Sequence, residues 1–111
     1  MVDAAYLRFF ISDSLRAKTV NVLNTLEQAK DCTRYRNALA ETVVELTNAG
    51  IDYYFMRPLR LAKVGFVVEQ SANVSLSGAT RVLATVIHNI IGHMDETQVL
   101  FVCSYIRQLM E

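Results

Sequence analysis

Helix breakers are almost absent from this chain, and that limits its fold more than any other feature. Its 111 residues contain one proline, Pro58, and four glycines, Gly50, Gly65, Gly78 and Gly92. A proline inside a helix costs about 3 kcal/mol and a glycine about 1, so a chain this poor in both can run in long helices. Between these residues the apolar side chains recur at the i, i+3, i+4 spacing of helices buried along one side. The expected fold is all-α, a single domain over residues 1–111 built as a compact bundle of four to five helices. A chain of this length encloses one core without metal or disulfide staples.

The first helix is expected to start near Asp3 and run toward Lys30, with Leu7, Ile11, Leu15, Val22 and Leu26 on one face. Asp13 stands three residues before Arg16, a spacing that allows an ion pair on a solvated side. A turn at Asp31, Cys32 and Thr33 leads to a second helix, which Gly50 ends in a left-handed cap. Pro58 suits a first helical turn, so a third helix is placed over residues 58–72. Gly65 inside it reads as a point of close approach by another helix. Residues 73–78 are rich in Ser, Asn and Gly and read as a loop. A fourth helix carries Val82, Val86, Ile87, Ile90, Ile91 and Met94. Asp95, with Gln98 three residues later, has the spacing of a capping box. It opens a fifth helix whose Val99, Cys103, Ile106 and Met110 share a face.

Eleven Lys and Arg balance eleven Asp and Glu. Without a concentrated positive field, nucleic acid is not an expected partner. The two cysteines, Cys32 and Cys103, lie far apart and have no metal-ligand spacing, so neither a metal nor a cofactor is expected. Cys103 reads as a small core residue. Asp3 precedes the first apolar stretch and Arg8 interrupts it, the reverse of a signal peptide. The longest stretch free of Asp, Glu, Lys and Arg, residues 82–94, is shorter than a bilayer span. The reading is cytoplasmic, with no membrane span. No G-x-S-x-G elbow, H-E-x-x-H pair or repeated Glu-x-x-His motif is present, and no catalytic residue is assigned.

Tyr53, Tyr54, Phe55 and Met56 are four large side chains in a row, and they cannot all enter one core. Phe9 and Phe10 point about 100° apart on a helix. Tyr53, Tyr54, Phe55, Met56 and Phe9 are therefore the candidate partner-binding residues, with Tyr6 and Phe10 nearby. The expected role is an interaction or regulatory module that buries surplus apolar surface as a homodimer or with another protein. The same rings have a plainer use as filling for a kinked junction, and a third use as the wall of a pocket for a small apolar ligand. Arg57, Arg60 and Lys63 recur every three residues and form a candidate anion-binding stripe beside the aromatic faces.

His88 sits mid-helix in His88-Asn89-Ile90-Ile91-Gly92. This fragment resembles the phosphoacceptor motif of histidine phosphotransfer domains, which are helical bundles of similar length. The matching positions are His88, an apolar residue two later and a glycine four later. The resemblance implies His88 as phosphoacceptor in a signalling domain. The chain departs from that pattern at Ile91, where the family carries a lysine, and at Asp95, where a new helix starts early. His93 is five residues on and falls on another face, which excludes a shared metal. The plainer reading of His88 is a half-buried structural side chain.

Overall fold

In a computed structural model of the chain, which describes residues 9–110, Ser12 opens the first helix. Residues 9–12 are not helical, and the Ser12 side chain accepts from the Leu15 amide at 3.1 Å. This cap satisfies one of the amides left free at a helix start. Helix α1 spans Asp13–Gln28, so the expected helix from Asp3 is shortened; Asp3, Tyr6, Leu7 and Arg8 lie outside the described residues. Asp13 and Arg16 do not pair. A 3₁₀ turn, Cys32–Tyr35, follows, capped by Asp31. The Thr33 amide and hydroxyl both donate to the Asp31 carboxylate, at 3.1 and 2.5 Å. These two bonds hold the Asp31 carboxyl below the usual aspartate range.

Helix α2 covers Arg36–Ile51. Gly50 does not end it. The helix runs on into a π-helical turn, Asp52–Met56, and then a short helix α3, Arg57–Leu61. The expected helix over residues 58–72 is broken by a left-handed stop. Lys63 takes φ 55°, the Lys63 amide donates to the Arg60 carbonyl at 3.2 Å and the Val64 amide to the Leu59 carbonyl at 3.4 Å. That pair of bonds is a Schellman closure. Gly65 follows with φ 103° and ψ 160°, immediately before the next helix. A Cβ on Gly65 would meet no atom within 4 Å. Backbone conformation, and not the approach of another helix, is the reason for glycine here.

Helix α4 spans Phe66–Gly92 without interruption. The stretch read as a loop, residues 73–78, is helical. Ala72, Leu76, Thr80, Ala84, Ile87 and Ile91 recur at three- and four-residue steps and form its half-buried to buried side. Arg36, at the start of α2, donates to the Met94 carbonyl just beyond the end of α4 at 2.7 Å. The two helices therefore run antiparallel and pack along their length. Helix α5, Glu96–Leu109, opens with the expected capping box: Gln98 N–H to Asp95 at 2.8 Å and Asp95 N–H to Gln98 at 2.9 Å.

Leu23, Leu26, Cys32, Leu39, Ala40, Ile91, Val99, Cys103 and Ile106 form one buried cluster. It lies where α1, the start of α2, the end of α4 and α5 meet. The expected inward face of α5 is thus the observed one, and the molecule is an all-α bundle with no strand among the described residues. Two buried hydroxyls are satisfied locally, Thr19 on the Leu15 carbonyl and Thr42 on the Ala38 carbonyl, which removes the penalty of burying them. Exposed ion pairs, Lys18–Glu45 between α1 and α2 and Arg107–Glu27 between α5 and α1, add little to stability.

Candidate functional site

The π-helical turn distributes its four large side chains around the helix. Met56 is buried, which removes it from any partner surface; Tyr53 is half-buried, while Tyr54 and Phe55 are exposed by 39% and 49%. Phe9 reaches this turn from the segment ahead of α1. Its ring lies 6.1 Å from Tyr53 and 5.6 Å edge-on from Tyr54, and the two tyrosines meet at 5.4 Å. The Phe9 ring edge also lies 3.6 Å from the position a Cβ would take on Gly50. Phe9, Tyr53 and Tyr54 therefore pack on one another and fasten the leading segment to the end of α2. Such pairs contribute about 0.5–1.5 kcal/mol each beyond their buried area. Phe55 and Phe10 remain turned outward.

The basic residues do not form one stripe. Arg57 lies over the Tyr53 ring at 5.2 Å. Arg60 pairs with Asp52 across the π-helical turn at 3.2 Å. Lys63 occupies the left-handed stop. Two of the three cations thus brace the junction. His88 is half-buried on α4. The position three residues later, Ile91, is 4% exposed and belongs to the core, so a lysine there would point into apolar packing. The helix ends at Gly92 and α5 starts at Glu96. Among the described residues, no three of His, Cys, Asp and Glu come together.

Cys32 and Cys103 are both buried and free. The Cys32 thiol faces the Glu96 carbonyl at 3.8 Å, and burial pushes its pKa up. Burial pushes the Cys103 thiol up to about 11. Both are therefore protonated and unreactive near neutrality.

The largest departure from the sequence reading lies on α4. Between Phe66 and Gly92 only Glu69 and Arg81 carry full charge. An 18-residue window of this helix reaches a mean hydropathy of 1.3, long and apolar enough by that measure to cross a membrane, yet only 6% of it is buried. Val82, Val86 and Ile90, expected on the fourth helix, are exposed by 66%, 44% and 55%. Val67 and Val74 are exposed by more than 70%. A second apolar row, Phe101, Tyr105 and Leu109, lies outward at four-residue steps on α5. The sequence signal for α4 was the scarcity of charge between Glu69 and Arg81 and beyond. Splitting the segment at residues 73–78 hid that signal.

Two surface depressions, one along α1 at Asp13 to Asn24 and one along α4 at Asn73 to Arg81, are open grooves. Neither is walled by the aromatic cluster. No known protein family, curated protein or solved structure matches the chain.

Proposed function

We propose that the protein is a non-enzymatic interaction module whose working surface is the exposed apolar side of α4. The observation that carries this reading is a 27-residue helix, nearly free of charge, with α2 along only one side. A helix apolar on most sides normally lies inside a larger structure. Isolated exposed valines need no explanation, but a continuous row of them marks a binding surface. A protein partner fits this helix better than lipid. Arg81 lies near its middle, where a bilayer centre penalises arginine by about 2.5–3.5 kcal/mol. Asn73, Ser75, Ser77 and Thr85 add polar groups that a protein surface tolerates.

Substituting Val82→Glu tests this reading. In solutions dilute enough to leave the surface without a partner, a binding surface predicts unchanged helical circular dichroism and a thermal stability within about 0.5 kcal/mol of the parent. It also predicts weaker binding of an anilinonaphthalene dye that reports exposed apolar area. Loss of the folded state in this variant would make the row part of the core and overturn the proposal.

A further inference from the structure

We infer that the occupant of the α4 face is a second copy of this chain, with the two α4 helices crossing at Ser75. This rests on the interaction reading above and names its partner. At 100° per residue, Val68, Ser75, Val82 and Val86 fall within about 20° of one line along the helix, and the exposed Ala79 lies about 40° beside it. The line lies about 130° around the helix from the middle of the side that packs on α2. Along it Val68 and Val82 stand seven residues to either side of Ser75, so the pattern is the same in both directions. An interface between identical chains related by a two-fold axis uses the same patch twice, so that patch must fit itself. Here small side chains at Ser75 and its neighbours let two helices approach to about 8 Å, and valines close the contact on either side.

Charge and area agree with this occupant. Glu69 and Arg81 sit about 120° to either side of the line, so no like charges meet at its centre. The chain carries no net formal charge at pH 7, so two copies do not repel. The chain exposes 8152 Å², against roughly 6,200 Å² for a compact monomer of its mass. This surplus over the whole chain leaves room for a standard interface, which takes about 800 Å² from each partner.

The test combines sedimentation equilibrium with variants of the full chain that each add one cysteine. The native thiols are buried and stay silent under mild oxidation by oxidised glutathione. The parent is expected at twice its 12.5 kDa mass. Ser75→Cys is expected to form a covalent dimer. Ser77→Cys, exposed but about 160° around the helix from the line, is expected to form none. Val82→Glu should weaken the dimer by roughly a hundredfold, through burial of an unpaired charge. A dimer that survives Val82→Glu and is not trapped by Ser75→Cys overturns this pairing. A parent that stays monomeric at millimolar concentration also overturns it. Dye binding lost in Val82→Glu would then keep the wider interaction reading, whereas no dye binding by the parent would remove both. Flotation of the parent with phosphatidylcholine vesicles would make lipid the occupant and overturn the proposal.

Discussion

Lys63 and Gly65 decide where one helix stops and the next starts, and neither acts through contacts. Lys63 holds a left-handed conformation that costs a residue with a Cβ about 1 kcal/mol. Lys63→Gly should therefore raise stability by about that amount in urea unfolding. Gly65→Ala should lower it by about 1–3 kcal/mol, because φ 103° with ψ 160° is open to glycine alone. The sequence marked Gly65 as special but pointed to the wrong cause, since a glycine looks the same whether it yields space or conformation. Cys103 was legible as a core residue. Its raised pKa makes stability depend on alkaline pH: the neutral thiol's contribution is complete below pH 9 and fades as pH rises through about 11. At pH 10.5 the parent should have lost about 2 kcal/mol through this group. A smaller loss between pH 8 and 10.5 in Cys103→Ala would confirm it, and equal losses would refute it.

Helices that carry their own start signals were placed well. The Asp95 and Gln98 pair fixed the start of α5, and Asp95→Ala should cost about 1–2 kcal/mol in thermal unfolding. The apolar repeat then identified Val99, Cys103 and Ile106 as its buried side. Ser12 was missed as the cap of α1 because Asp3 offered an earlier candidate. The longest helix was cut in two because Ser71, Asn73, Ser75, Ser77 and Gly78 are weak helix formers. Local preference loses there to packing of Ala72, Leu76 and Thr80 along the α2 side. Gly78 faces open space, so Gly78→Ala should stabilise the dilute protein by about 1 kcal/mol. The π-helical turn had no sequence signature beyond four consecutive large residues. It resolves their crowding by burying Met56 and setting Tyr54 and Phe55 outward.

For the molecule as a whole, surplus apolar area was legible from composition, but its location was not. The aromatic run drew attention because rings are conspicuous in a sequence, yet Phe9 covers much of it. Valines spaced along α4 are inconspicuous singly and become a surface only once the helix is continuous. Phe55→Ala should therefore leave the sedimentation mass unchanged, whereas Val82→Glu should lower it; the reverse pattern would return the interface to the aromatic turn.

The helical run over residues 73–78 has a further consequence. Weak helix formers supported along one side fray readily in a lone chain, and any partner that covers the other side stabilises them by mass action. The melting temperature then becomes a function of protein concentration. Dilution should lower it and speed amide exchange in residues 70–80 before it affects the cluster around Leu23 and Cys103. On the proposed pairing, the middle of α4 would gauge how much partner is present.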